Sequence, residues 1–166
     1  MSEKSTLHLL CGKMAAGKST LARELTIKHN AILVVEDDWL KSLFGEEITS
    51  FTDYLQYSSR LKNMLFEHIQ AMLLQGVTVV LDFPANTIDQ RKALRVLFEN
   101  TASRHVLHYL EATDALCKRQ LRERSKALPA GAVFTSDAEF DAITQYFQPP
   151  SDDEGLMIKR YLLGDS

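Results

Sequence analysis

The chain has 166 residues, 45% of them apolar and 25% charged, with a formal net charge of −3. These are the values of a globular chain of one-domain size, which excludes disorder for the bulk of the chain, and the slight acidity argues against a protein that coats nucleic acid. No apolar run approaches the ~20 residues of a membrane span, and MSEKSTLHLL lacks a signal core. Cys11 and Cys117 lie far apart with no metal-ligand spacing, so two buried thiols in a reducing cytoplasm are expected.

Apolar strand-like runs alternate with helical patterns. Leu7–Cys11 reads as a strand ended by Gly12. Lys18–His29 reads as a helix with Leu21, Ala22 and Leu25 on one face and Asn30 as its stop. Ile32–Val35 is short and β-branched, hence a second strand. Gly45–Tyr54 has no period and reads as a mobile connection. A long helix follows, with Leu61, Leu65, Ile69, Met72 and Leu73 at helical spacing and Gly76 as its stop. Val77–Leu81 is a buried strand. Thr87 and Gln90 form a capping box for a helix striped by Leu94, Leu97 and Phe98. His105–Leu110 is a fourth strand, with His105 and His108 on opposite faces. Thr113 caps a helix from Asp114 to about Lys126, broken at Leu128–Gly131. Ser136 and Glu139 box a further helix with Phe140, Ile143 and Phe147 inward and Pro149–Pro150 as its end. Met157–Leu163 reads as a last strand. The alternation implies a mainly parallel five-stranded sheet with helices on both faces, an α/β fold of three layers, in one domain over residues 1–166.

One motif carries specific chemistry. Gly12, Lys13, Met14, Ala15, Ala16, Gly17, Lys18 and Ser19 fit G-x-x-x-x-G-K-[ST] after a strand and at the opening of a helix. Gly12 lets the chain leave the strand in a tight turn, and Gly17 keeps a Cβ away from a bound phosphate. The intervening N–H groups form an anion nest at the positive end of the next helix, which Thr20 continues. Lys18 is placed for the β- and γ-phosphates of a nucleoside triphosphate and the Ser19 hydroxyl for Mg²⁺.

In a parallel sheet, ligands bind beyond the carboxyl ends of the strands. Glu36-Asp37-Asp38 follows the second strand and Asp82 the third. Asp37 is the candidate base and Asp38 its neighbour in an acceptor site. Asp82 is a candidate for a metal-bound water or a substrate hydroxyl, and Glu36 reads as a surface residue. Acids at such points also cap helices, and that reading stays open. Trp39 either lines a substrate pocket or packs under the loop. Phe83, Asn86 and Arg91 follow Asp82 and are candidate acceptor contacts, with packing for Phe83 and surface exposure for Arg91 as the alternatives. Lys118, Arg119, Arg122, Arg124 and Lys126 form a basic cluster in a lid-like, mobile segment at about 118–137. It is suited to stabilising a transferring phosphoryl group, or else is a solvated helix face.

These pieces together resemble the P-loop kinases: the phosphate loop through Thr20, Asp37-Asp38 after strand two, Val79-Val80-Leu81-Asp82-Phe83 with Asn86 and Arg91 after strand three, and the arginine-rich segment before the last helix. Leu121–Ser125, Tyr146–Pro150 and Glu154-Gly155 are similar to the group holding polynucleotide 5′-hydroxyl kinases, chloramphenicol phosphotransferase and zeta-type toxins, and to small bacterial AAA-family ATP-binding proteins. The resemblance implies a P-loop NTPase fold and transfer of the ATP γ-phosphate to a hydroxyl of a small molecule or nucleotide. It implies Lys18 and Ser19 as phosphate and Mg²⁺ ligands, Asp37 as base and Asp82 as the acid after strand three. Arg119, Arg122 and Arg124 fall in the lid, and which of them is the key arginine stays open. Leu40 stands where polynucleotide kinases carry an arginine, so a nucleic-acid acceptor is not expected. The alternative reading is an ATP-binding NTPase or regulator without an acceptor. N-K-x-D, the guanine signature, is absent, and Asp82 lacks the following Glu of a mechanical ATPase.

Overall fold

The computed structural model describes residues 4–128 and 135–164. Five strands, β1 (Thr6–Gly12), β2 (Ile32–Val35), β3 (Val79–Asp82), β4 (Arg104–Ala112) and β5 (Ile158–Leu163), form one sheet in the order β2-β3-β1-β4-β5. Every neighbouring pair is parallel, with Leu9 of β1 level with Leu81 on one side and Leu107 on the other. β1 is therefore central, and its carboxyl end is where chain order reverses across the sheet, the place where ligands collect in such folds.

Side-chain alternation explains the layers. Leu7, Leu9 and Cys11 turn to one face with Val79, Leu81, Leu107 and Tyr109. Two helices cover that face: α3 (Phe51–Leu74) through Leu61, Leu65, Ile69 and Leu73, and α4 (Ile88–Glu99) through Leu94, Leu97 and Phe98. Leu10 and Val80 turn to the other face, against Ala22 and Leu25 of α1 (Lys18–Lys28). Leu110 and Ala112 meet Cys117 of α5 (Asp114–Lys126) and Phe140 of α6 (Asp137–Thr144). The short helix α2 (Glu36–Phe44) starts directly from β2. Both cysteines are free and buried.

Caps mark most helix starts as the sequence implies. Thr87, Thr113 and Ser136 accept from the backbone N–H groups of Gln90, Leu116 and Glu139. Asn30, at φ 49°, ends α1 in the left-handed conformation that asparagine tolerates. Three expectations are corrected. Gly45–Tyr54 is not a structureless connection: Ser50 caps α3 by accepting from Asp53 N–H, so that helix begins ten residues before its apolar stripe. α6 ends at Thr144, short of Pro149, and Ile143 points outward, 52% exposed. The break after Leu128 falls, from residue 129 to 134, outside the described residues.

On the α1 face, His8 Nδ1 and His108 Nε2 share a hydrogen bond of 2.8 Å, and His108 Nδ1 meets the Tyr161 hydroxyl at 2.8 Å. His29 stacks on His8 with ring centroids 4.6 Å apart. Burial, then the nearby charges of the other histidines, Lys159 and Lys28, push His8 from 6.5 down to about 4 and His108 to about 3. The folded protein thus holds both rings neutral where the unfolded chain would protonate them. As pH falls through about 6.5 toward about 4, the unfolded state takes up more protons, so stability must fall with it. Denaturant unfolding across that range is expected to show this slope, and a His8→Gln, His108→Gln double variant to flatten it. An unchanged slope would assign the acid sensitivity to carboxylates instead.

Candidate nucleotide site

The phosphate loop leaves the centre of the sheet at the end of β1. Gly12 suits this close approach, since a Cβ there would lie 3.1 Å from the Leu110 carbonyl oxygen and 3.3 Å from the Leu110 Cβ. Gly17 stands at φ 105° and Ala15 at φ 63°, both in the left-handed region. These positive-φ residues turn successive N–H groups inward, which makes the anion-binding concavity of a nest. Ala15 holds this conformation without being glycine, at a cost of about 1–2 kcal/mol. Ala15 and Ala16 are nearly buried, 5% and 3% exposed, so the turn is braced from beneath. α1 starts at Lys18 with no acidic residue in its first turn and Gly17 as its cap, leaving its positive end open to an anion.

Lys18 curls back over this loop. Its ammonium donates to the carbonyl oxygens of Gly12 and Lys13, and burial lowers its pKa from the ordinary lysine value. Ser19 Oγ donates to Asp82 Oδ2 at 3.0 Å, which brings an alcohol and a carboxylate oxygen together at the end of β3. These are hard oxygen donors of the kind Mg²⁺ uses when phosphates and water complete its shell. The residues present therefore fit a Mg²⁺–nucleotide. Lys13 points elsewhere: its ammonium pairs with Asp114 at 2.6 Å and meets the Ala112 carbonyl at 3.3 Å, tying the loop to the start of α5.

Asp37 lies in the first turn of α2, where Glu36, Asp37 and Asp38 meet the positive end of the helix. Its pKa is raised, first by loss of water around the carboxyl and then by the charges of Glu36, Asp82 and Asp38, with Lys18 opposing. Asp37 is exposed as a residue, and its carboxyl feels the charges of both Asp82 and Lys18. Asp38 and Trp39 are exposed on the same helix, Trp39 at 43%.

Glu36 departs from its expected surface position. It is 1% exposed, accepts from the Tyr54 hydroxyl at 2.6 Å and from Ser58 Oγ at 3.3 Å, and faces Lys62 Nζ at 3.5 Å. Tyr54, Ser58 and Lys62 are spaced by four on α3, a polar stripe beside the apolar one that signals a buried charged partner. Arg91, expected at the acceptor or on the surface, is also corrected. It is 1% exposed, and its guanidinium donates to Glu154 Oε1 at 2.7 Å, to Glu154 Oε2 at 3.2 Å and to the Ala85 carbonyl at 3.0 Å. It is an internal strut. Phe83 is 2% exposed and packs against Phe66. Asn86 Oδ1 accepts from Gly12 N–H at 3.0 Å, so this residue grips the phosphate loop from the β3 side.

The basic segment divides. Arg124 lines a cleft of about 520 Å³ with Gly17, Thr20, Leu21, Tyr161 and Leu163, and its charge is felt by Lys18. Arg122 instead pairs with Asp137 at 2.8 Å, which, with Lys118 and Asp141 at 2.9 Å, joins α5 to α6. Arg119 is an exposed position on α5. Among the described residues no helix is long and apolar enough to cross a membrane, and no group of three or more His, Cys, Asp or Glu is arranged to hold a metal ion by itself.

A five-stranded parallel sheet with a G-x-x-x-x-G-K-S loop at its central strand and acids at two neighbouring strand ends defines a nucleotide-binding P-loop fold of the kinase type. The fold is shared with a candidate kinase from Chloroflexus aurantiacus J-10-fl (TM-score 0.71, 15% identity, 97% of this chain and 86% of that one). It is shared with a chain of the Pnkp1/Rnl/Hen1 RNA repair complex (0.69, 16%, 88% and 45%) and with shikimate kinase from Bacteroides thetaiotaomicron (0.56, 22%, 86% and 77%). The chain belongs to the AAA domain family, whose model matches residues 7–150. No curated protein matches it.

Proposed function

We propose that the protein is an ATP-dependent phosphotransferase that moves the γ-phosphate to a hydroxyl group of a small molecule or nucleotide. What supports this reading is the Ser19–Asp82 hydrogen bond beside the buried Lys18 of the phosphate loop, with Asp37 following the neighbouring strand and coupled electrostatically to Asp82 and Lys18.

On this reading the loop N–H groups and Lys18 hold the β- and γ-phosphates. Ser19 and Asp82 are the residues that would hold Mg²⁺, which would neutralise charge on the phosphates. Asp37 accepts the proton of the acceptor hydroxyl as its oxygen bonds to the γ-phosphorus and the bond to the ADP oxygen breaks. The transition state is loose, so Asp37 mainly orients the acceptor. The cleft bounded by Thr20 and Arg124 suits the nucleoside, with Arg124 beside the transferring group. Arg122 fastens α5 to α6 through Asp137, and the lid expected at about 118–137 falls in part, from 129 to 134, outside the described residues. The slightly acidic chain, and Leu40 in place of an arginine, favour a small acceptor over a nucleic acid, because grooves that track a phosphate backbone are basic.

ATP consumption measured alone and with hydroxyl compounds, with free phosphate separated from phosphorylated product, tests the reading. Transfer to an added hydroxyl is the expected result. Release of free phosphate at the same rate whatever is added would make the protein a hydrolase. ATP binding without consumption under any condition would make it a regulator.

A further inference from the structure

A second cavity, of about 540 Å³, opens on the other side of the phosphate loop from the Thr20–Arg124 cleft. Its walls come from four elements: Met14 in the loop turn, Phe51 at the start of α3, Asn86 and Gln90 at the start of α4, and Ile143 at the end of α6. It is a built neighbour of the site, because Asn86, one of its walls, is the residue that holds Gly12. Its size suits a molecule of one or two rings.

Three features set its chemistry. Its rim gathers three exposed bulky apolar side chains around one concavity, Phe51 at 74%, Tyr146 at 71% and Ile143 at 52%. Apolar surface collected around a concavity marks a binding site. Second, Lys13 is the one charged residue among the described lining residues, and its ammonium is engaged by Asp114 at 2.6 Å. A carboxylate or phosphate on the occupant would lose water here and have to compete with Asp114 for that cation. Third, Asn86 Oδ1 accepts from Gly12 N–H and Gln90 Oε1 from Asn86 N–H. A backbone N–H can only donate, so these atoms are fixed as oxygens and each side chain turns its NH₂ group elsewhere. Among the described residues those two NH₂ groups have no protein acceptor, which leaves them as donors for an uncharged oxygen.

We propose that this cavity takes the apolar, ring-sized body of the phosphate acceptor and selects an uncharged alcohol, whose reacting hydroxyl has to extend beyond the lining to meet Asp37. The inference rests on the phosphotransferase reading for the identity of the occupant, but not for its binding.

The test uses the full chain with a non-hydrolysable ATP analogue bound, titrated by calorimetry with phenyl glucoside and naphthylmethanol as uncharged probes and with gluconate and glucuronate as anionic ones. The same compounds are offered with ATP as acceptors. Phe51→Asp is the main variant. Position 51 is exposed and in the first turn of a helix, where an acid is favourable, so folding is retained. Ile143→Asp is the second variant, and Phe51→Leu the conservative control. Binding of the uncharged probes alone is expected, with at least about tenfold loss in both Asp variants, recovery in Phe51→Leu and unchanged affinity for the ATP analogue. As acceptors, the same probes should show a raised KM with kcat within about twofold.

If the uncharged probes bind in this pattern but receive no phosphate, the cavity assignment stands and the phosphotransferase reading falls. Transfer to gluconate or glucuronate in preference would keep that reading and overturn the selectivity. No binding by either uncharged probe, or binding indifferent to both Asp variants, would overturn the proposal. So would a dimer in sedimentation that Phe51→Asp dissociates, since a second copy would then cover the rim.

Discussion

Replacing Lys18 with alanine is expected to lower ATP turnover by at least roughly 10³-fold and to weaken ATP binding while the protein stays folded. The Lys18 ammonium lies against the Gly12 and Lys13 carbonyl oxygens, and burial pulls its pKa down. The ammonium is thus held directly by carbonyl dipoles, with the Asp82 carboxylate attracting it from farther off. A triphosphate brings full charges into direct contact, so the ammonium gains most when nucleotide is bound and more again as charge shifts during transfer. Alanine removes that gain and leaves two carbonyls at the loop surface for water to satisfy. Calorimetric titration with ATP and Mg²⁺, beside thermal unfolding of the variant, checks both halves. A folded Lys18→Ala protein with unchanged ATP affinity would remove Lys18 from the phosphate site.

The second large effect concerns Asp37→Asn, which keeps the shape of the side chain and removes its basicity. Phosphotransfer is expected to fall by roughly 10²–10⁴-fold, the usual yield of a positioned acid or base, with ATP affinity nearly unchanged. The raised pKa supplies a further signature. Burial and the surrounding charges of Glu36, Asp82 and Asp38 favour the protonated form, and only the ionised form can take a proton. Activity of the native protein should therefore rise with pH through an apparent pKa above the ordinary aspartate value of 3.8. That limb should vanish in Asp37→Asn, because an amide does not titrate. A variant that retains full transfer and the same pH profile would take the base away from Asp37.

The framework was legible because its signals are local and repetitive. The phosphate loop is a contiguous spelling of one geometry, the runs Leu7–Cys11 and Val79–Leu81 can be buried on both faces only in a covered parallel sheet, and three helix caps stood in plain view at Thr87, Thr113 and Ser136. What misled were residues whose environment is built by distant segments. Glu36 looks like one of three surface acids until Tyr54, Ser58 and Lys62 arrive from α3. Arg91 looks like a surface or ligand arginine until Glu154, 63 residues on, closes around it. Ile143 follows the helical period of an inward residue, but α6 ends one residue later and turns it to the cavity rim. Phe51 fell in a stretch with no apolar period, and it stands 74% exposed at the first position of α3. The arginines of α5 were visible as a group, yet only the fold separates Arg124, which faces Gly17, from Arg122, which faces Asp137.

The Arg91–Glu154 pair has a further consequence through its neighbours. Arg91 also holds the Ala85 carbonyl, and Asn86 next to it holds Gly12, so the entry to β5, the start of α4 and the phosphate loop are tied into one frame. Both cavities beside the loop take walls from that frame. On the reading proposed here, a change at Arg91 or Glu154, neither of which lines either cavity, would reach nucleotide and acceptor together through this shared support.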